Sequence, residues 1–343
     1  MFTFCFSDMK LKDIKIASFD LDHTIIKPKS GKKFPIDAED WEWLYPYVPY
    51  KLKEIAKDFT IIIFSNQLGI SKGKVTKSQI YTKCKDIYEK LEIPLIFMFS
   101  EKDDKYRKPR IGFWRTIVKE YNFKPQKLRS FYVGDGAGRL RDFNDTDRKF
   151  AQNIGIRFMT PEEYFLGKDE EYWEYNGYDL KKSIEATKID ITFEDKPIII
   201  LIRGMPCSGK TFLANKIKSE HDFTILSKDN LKKNFEKIFK ESVEKNENII
   251  IEGLYYSKAQ QNSFFEIIND LNYCKILINV ETNEDLSFHL NYYRFLNEKG
   301  KFIQKIVYNV YKKYFHKIDE SIFDKVFNYH PEINSKINKY FLY

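Results

Sequence analysis

Two apolar runs in this chain each end in a motif suited to handling phosphate. Ile14 to Phe19 leads into Asp20-Leu21-Asp22-His23-Thr24. Ile198 to Ile202 leads through Arg203 into Gly204-Met205-Pro206-Cys207-Ser208-Gly209-Lys210-Thr211. Apolar, β-prone runs read as strands buried on both faces, the habit of parallel sheets covered by helices. Ligands of such sheets bind beyond the carboxyl ends of the strands, where both motifs fall. The pair therefore points to an α/β fold with two phosphate sites on two sheets. A length of 343 residues suits two domains, and a hydrophobic content of 43% supplies two cores.

Further strands are expected at Ile61 to Phe64, Leu95 to Phe99, Ser130 to Val133, Ile249 to Ile251 and Cys274 to Val280. Helix-like stretches separate them: Lys51 to Lys57, Ser78 to Leu91, Ile111 to Tyr121 and Phe212 to Ser219. Glu284 to Ile318 reads as helical and is dense in Tyr, Lys and Arg. The expected division is a first domain over 1–170, a connector over 171–196 and a second domain over 197–343. The connector is charged and aromatic rather than Gly/Ser-rich, so it is expected to pack on one or both domains. A net charge of +8 is a mild bias toward polyanions. The four cysteines lie far apart with no CxxC pair, which argues against a zinc cluster and fits a reduced compartment. No apolar run reaches the roughly 18 residues that a membrane span needs. A soluble intracellular monomer, nuclear or cytoplasmic and without a membrane role, is the expectation.

A phosphomonoester is doubly negative and repels an anionic nucleophile. A site that hydrolyses one must screen that charge, attack in line and protonate the leaving oxygen. Asp20, at a strand tip, can attack phosphorus and form an acyl phosphate. Asp22 can protonate the leaving alkoxide and then activate water. Mg2+ held by Asp20, the Asp22 backbone carbonyl and Asp135 would neutralise phosphate charge. Ser65 can donate to a phosphoryl oxygen, and Lys108 can balance charge on the intermediate. Each has a plainer alternative: a helix cap for Ser65, a solvated charge run for Lys108. Their order along the chain at successive strand ends is the stronger signal.

That order, DxDxT, then Ser65-Asn66-Gln67, then Lys108-Pro109, then Gly134-Asp135, resembles the haloacid-dehalogenase superfamily of phosphatases. Ser30-Gly31-Lys32-Lys33-Phe34-Pro35, Trp41 and Asn66 to Lys74 extend the match. So do Tyr106 to Pro109, Val133 to Arg139, Asp142-Phe143, Asp147 to Ala151 and Thr160 to Phe165. Together these are similar to the bifunctional polynucleotide kinase 3'-phosphatases of animals and some large viruses. The resemblance implies a haloacid-dehalogenase-like Rossmannoid phosphatase domain followed by a P-loop kinase domain. It also implies Asp20 as nucleophile, Asp22 as general acid/base and Mg2+ at Asp20, Asp22 and Asp135. His23 stands where the family usually has Gly, and Ser65 where Thr is common. Vertebrate members carry a forkhead-associated module ahead of the core. No stretch for one is present in this sequence, so recruitment by a phosphorylated scaffold protein is not expected.

In the second half, the glycine loop between a strand and a helix meets the context a P-loop requires. The amides around Gly204, Ser208 and Gly209 can surround the phosphates of ATP. Lys210 can reach the β- and γ-phosphates, and Thr211 can hold Mg2+. Ser227-Lys228-Asp229-Asn230-Leu231 resembles the family segment whose aspartate activates the acceptor hydroxyl, which nominates Asp229. His289 to Arg294 resembles its lid segment, which nominates Arg294 for stabilising the transferring phosphoryl group. Glu252-Gly253 stands where the family often has Asp-Asn and could support Mg2+ through water.

The resemblance implies hydrolysis of 3'-phosphates and ATP-dependent phosphorylation of 5'-hydroxyls at DNA or RNA ends. Those products are what a ligase consumes. Phosphatase before kinase is the animal-type order and favours DNA repair. Two alternatives are a metabolite phosphatase fused to a nucleoside-type kinase, and a non-catalytic nucleic-acid adaptor. The basic balance argues against the first. The intact set of Asp20, Asp22, Lys108, Asp135, Lys210 and Thr211 argues against the second.

Overall fold

Runs of Ile, Val and Phe with no polar alternation can be satisfied only between two helical layers, and that is where this chain puts them. The computed structural model describes residues 1–6, 15–120, 125–181, 187–189, 191 and 196–343, leaving out the side chain of Asp229. The chain divides into two units, Met1–Gly177 with Tyr340–Tyr343, and Tyr178–Lys339. The last four residues, assigned from the sequence to the second domain, thus group with the first. Among the described residues no helix is long and apolar enough to cross a membrane.

The first unit contains, in chain order, β1 (Phe2–Phe6), β2 (Ile16–Phe19), β3 (Ile26–Lys27), β4 (Glu42–Trp43), α1 (Val48–Ile55), β5 (Thr60–Asn66) and α2 (Lys77–Leu91). It continues with β6 (Leu95–Ser100), α3 (Gly112–Glu120), β7 (Phe131–Val133), α4 (Thr146–Ile154), β8 (Arg157–Met159) and α5 (Pro161–Leu166). The sheet order is β1-β6-β5-β2-β7-β8, parallel except for β1. All four residues of β2 and all six of β6 are buried. One face packs Ala17, Phe19, Ile63 and Phe97 with Leu52 and Ile87 of α1 and α2. The other packs Ile16, Ile62, Phe64 and Tyr132 with Phe113 and Phe150 of α3 and α4. The edge strand β1 behaves differently. Phe2, Phe4 and Phe6 turn inward while Thr3 and Cys5 are exposed, the alternation of an antiparallel edge.

The second unit contains β9 (Ile198–Gly204), α6 (Lys210–Glu220), β10 (Thr224–Ser227), α7 (Lys228–Leu231), α8 (Phe235–Glu244) and β11 (Ile249–Gly253). α9 (Lys258–Ile268), β12 (Cys274–Val280), α10 (Glu284–Leu296), α11 (Lys305–Lys313) and β13 (Lys325–Tyr329) follow. Its sheet is parallel throughout, in the order β10-β11-β9-β12-β13. All seven residues of the central β9 are buried. The stretch expected to be helical from Glu284 to Ile318 is two helices. They are separated at Asn297 to Gln304, where Glu298 (φ 57°) and Gly300 (φ 154°) leave helical space.

Candidate active sites

In the first unit β2 lies between β5 and β7, so the residues that follow these three strands meet at one end of the sheet. Asp20 directly follows β2, and its amide donates to Val133 O at 2.9 Å. Thr24 ties this loop to the next acidic one: its hydroxyl accepts from the Asp135 amide at 3.1 Å and faces Asp135 Oδ1 at 3.4 Å. Asn66, the last residue of β5, grips the backbone of Lys108 with both ends of its amide. Thus fixed, and only 3% exposed, Lys108 sends Nζ to Asp20 Oδ1 at 2.8 Å, Asp147 Oδ1 at 2.7 Å and Tyr132 Oη at 2.8 Å.

Gln67 joins two more of the expected residues. Its Nε2 donates to Asp22 Oδ2 at 2.6 Å and to Ser65 Oγ at 3.0 Å. The structure therefore brings Asp20, Lys108 and Asp135 together with Tyr132 and Asp147, and joins Asp22 to Ser65 through Gln67. Sequence reasoning gave none of Gln67, Tyr132 and Asp147 a role, and Asp147 is the acidic one among them. It stands in the first turn of α4, and its approach depends on missing side chains. A Cβ on Gly134 would lie 2.5 Å from Asp147 Cγ, and one on Gly136 would lie 3.0 Å from Asp147 Oδ2. The Gly136 amide donates to that same oxygen at 3.0 Å. An acidic residue opening the helix after a Gly-Asp-Gly loop was the available signal.

The charge balance of this cluster is lopsided. Ligand atoms of Asp20, Asp135 and Asp147 all lie within 4.8 Å of one another. Burial pushes the Asp20 carboxyl well above its usual range, with Lys108 opposing and Asp147 and Asp135 reinforcing. Burial, then Asp147, pushes Asp135 up to about 7. Burial alone would depress the Lys108 ammonium, but Asp147 and Asp20 outweigh it and raise it. One ammonium against three crowded carboxylates leaves negative charge that a divalent cation would neutralise, so the donor set fits Mg2+. Asp147 already accepts from Lys108, Tyr132 and Gly136, which leaves Asp20 and Asp135 as the better direct ligands. The Asp22 carboxylate faces Gln67 rather than this cluster.

In the second unit β9 runs straight into the glycine loop. Gly204 has φ 154° and no room for a side chain, since a Cβ would lie 2.6 Å from Val280 O and 3.0 Å from Ser208 Oγ. Gly209 (φ 98°) turns the chain into α6, whose first residues are Lys210 and Thr211. Lys210 Nζ donates to Gly204 O at 3.0 Å and Met205 O at 2.7 Å, and Thr211 is exposed. Burial raises the Cys207 thiol, while Arg294, the Tyr308 hydroxyl and Lys210 oppose it, so Arg294 is within electrostatic reach of the loop. Among the described residues of this unit, four buried side-chain atoms lack a hydrogen-bond partner: Arg203 Nη1 just before the loop, Ser208 Oγ within it, Glu252 Oε2 and Arg294 Nε. Orphaned donors and acceptors of this kind suit a bound polyanion with its cation. Asp229 sits in α7 directly after β10, but its side chain lies outside the described part of the structure. Arg203, which stands between the apolar run and the glycine loop and was given no role from the sequence, is 3% exposed, and its guanidinium lies 5.2 Å from the Phe315 ring centre.

Two parallel α/β units, one with an aspartate-lysine cluster and one with a glycine-lysine loop at the strand ends, define a protein of phosphoryl-group chemistry. Residues 15–165 match the family model for polynucleotide kinase 3 phosphatase. The bifunctional polynucleotide phosphatase/kinase of Schizosaccharomyces pombe is 33% identical over 312 residues, covering 89% of this chain and 76% of that protein. A putative bifunctional polynucleotide phosphatase/kinase of Acanthamoeba polyphaga mimivirus is 30% identical, covering 89% and 82%. The polynucleotide 3'-phosphatase of Saccharomyces cerevisiae is 30% identical over 45% of this chain and 88% of its own length. This chain belongs to the bifunctional polynucleotide phosphatase/kinase family.

Proposed function

We propose that the chain heals broken nucleic-acid strands, removing 3'-phosphates at the first site and phosphorylating 5'-hydroxyls at the second. The observation that carries the first half is the contact of Asp20 with Lys108 beside Asp135 and Asp147 at one end of the sheet. In our mechanism an Asp20 oxygen attacks phosphorus, and the bond from phosphorus to the strand's 3'-oxygen breaks. Asp22, oriented by Gln67, gives its proton to the departing oxygen. Asp22 then takes a proton from water as that water attacks the aspartyl phosphate, releasing inorganic phosphate and restoring Asp20. Lys108 holds Asp20 in place and balances the charge that accumulates on the intermediate. Mg2+ at Asp20 and Asp135 would supply charge neutralisation on the phosphoryl oxygens.

For the kinase, the Gly204–Lys210 amides and the Lys210 ammonium would hold ATP phosphates, with Thr211 as a Mg2+ ligand. Asp229 would accept the proton of the attacking 5'-hydroxyl, and Arg294 would stabilise the γ-phosphoryl in flight. The phosphatase-first order favours DNA over RNA, the separated cysteines fit an intracellular site of action, and a ligase would consume the 3'-hydroxyl and 5'-phosphate products.

The test uses nicked DNA and RNA that carry labelled 3'-phosphate and 5'-hydroxyl termini, with ATP and Mg2+. Wild type should convert both ends. Asp20→Ala should lose only the 3' reaction, and Lys210→Ala only the 5' reaction. Conversion of free nucleotides in preference to strand ends would replace this proposal with the metabolite-enzyme alternative.

A further inference from the structure

The four residues Tyr340–Tyr343 group with the first unit, although the chain reaches them only after the last element of the second. Hydrogen bonds tie them to two segments, the loop that carries Lys108 and α4, which carries Asp147, while ring contacts reach Arg115 and Tyr175. Asn153 on α4 is the junction. Its side-chain amide accepts from the Phe341 amide at 2.8 Å and donates to Phe341 O at 2.8 Å. The same Nδ2 donates to Pro109 O, one residue past Lys108, at 2.8 Å. On the other side of the loop, Arg110 Nη1 donates to Leu342 O at 2.9 Å, while its Nε holds Arg107 O at 3.1 Å. Lys149, two residues after Asp147, donates to Tyr343 O at 2.9 Å and to Asn176 O at 2.6 Å. Phe341 is 6% exposed, with its ring 4.6 Å from that of Tyr175. Gly177 makes room for the Tyr343 ring, which a Cβ there would meet at 2.8 Å.

Buried Arg110 and Lys149 need acceptors in place of water, and the tail's carbonyls are among those that serve. Asn66 grips Lys108 from the β5 side, and Asn153 with the tail grips the next two residues from the other. We propose that Tyr340–Tyr343 is a positioning element of the phosphatase site, clamping the Lys108 loop to α4 so that one ammonium meets both Asp20 and Asp147. None of these tail contacts falls on Asp20 or Asp135; the tail acts through Lys108 and Asp147. The proposal rests on the phosphatase reading for its kinetic arm only.

The experiment compares wild type with two full-length single variants, Phe341→Ala and Asn153→Ala, and with a chain ending at Lys339. Release of phosphate from a 3'-phosphorylated oligonucleotide gives kcat and KM, and hydrogen exchange is followed over residues 105–112 and 146–154. The expected result is a kcat at least ten-fold lower with KM within about two-fold, because small misplacements of reacting groups cost up to about 10²-fold. Exchange should rise over those two segments ahead of the rest of the unit. A synthetic peptide of residues 336–343, added to the shortened chain, should restore part of kcat. Unchanged kcat, or exchange that rises uniformly across the unit, overturns the proposal. If the shortened chain does not fold, the two point variants decide by the same readouts. If wild type releases no phosphate, the functional proposal has failed, and exchange alone decides this one.

Discussion

Lys108→Met removes a cation while keeping the length and most of the volume of the side chain. What remains is Asp20 and Asp147, both stripped of the ammonium that lies 2.8 and 2.7 Å from them. Lys108 is 3% exposed, so water cannot readily replace it. Breaking one side of a buried charge pair costs about 3–5 kcal/mol. At roughly 2–4 °C per kcal/mol for a unit of this size, the unfolding midpoint should drop by about 6–20 °C. Part of that loss should be avoided by proton uptake, since an uncompensated buried carboxyl neutralises itself. The protonated species would include Asp20, so 3'-phosphatase activity should vanish even in the fraction that stays folded. Mg2+ should return some stability to the variant, because it replaces the lost charge, without returning activity.

The assay is denaturant unfolding of wild type, Lys108→Met, Asp147→Asn and the double variant, each with EDTA and with Mg2+. Residues in direct contact couple by about 0.5–3 kcal/mol, so the double variant should be less destabilised than the sum of the singles. Kinase activity in each sample reports whether the second unit is intact. A Lys108→Met loss below about 1 kcal/mol, or strict additivity with Asp147→Asn, would refute the claim that this ammonium is what holds the acidic cluster together.

Metal and pH should be linked through Asp135. Its folded carboxyl keeps a proton up to about pH 7, whereas the unfolded one loses it near 3.8, so the folded state binds more protons between those values. Metal-free stability should therefore fall as pH rises from about 4 to 7, and the stabilisation by Mg2+ should grow over the same range; a Mg2+ effect independent of pH would exclude Asp135 as a ligand. Gly204→Ala puts a Cβ 2.6 Å from Val280 O, so 5'-kinase activity should fall at least about 10²-fold while 3'-phosphatase activity persists; a fully active kinase would remove the loop geometry from the argument. His23 sits at φ 58° and its Nε2 lies 3.1 Å from Lys33 O, joining the catalytic loop to the Ser30–Asp40 loop. His23→Gly should relieve roughly 1 kcal/mol of backbone strain. It should also change the ratio of activity on recessed against single-stranded 3'-phosphates by about five-fold, or ~1 kcal/mol; equal ratios in the two proteins would end the case for this ring as a determinant of end preference.

Much of the fold was legible because its central strands are buried on both faces. Ile61 to Phe64, Leu95 to Phe99 and Ile198 to Ile202 have no polar alternation, so no other placement satisfies them. The edge strands were not legible. β1 and β13 are five residues each and alternate buried with exposed, a weak pattern that loops also produce. The interruption of the Glu284 to Ile318 stretch did carry a signal, Asn297 with Gly300, which the overall density of helix formers outweighed.

The same division runs through the phosphatase cluster. Asp20, Ser65 and Asp135 each follow or end a strand, and a parallel sheet brings adjacent strand ends together whatever the rest of the chain does. Asp147 reaches the cluster from a helix, past two glycines, and its closeness to Lys108 across 39 residues is a product of packing rather than of sheet order. The Phe341 contacts with Asn153 span 188 residues and use only backbone atoms of the tail, so no side-chain type in the sequence marks them. Residues that react are recognisable by kind, whereas those that hold them in place are recognisable only by position. The tail is the extreme case: its backbone groups fasten to the Lys108 loop and α4, and any side chains that preserved that backbone path would leave those bonds intact.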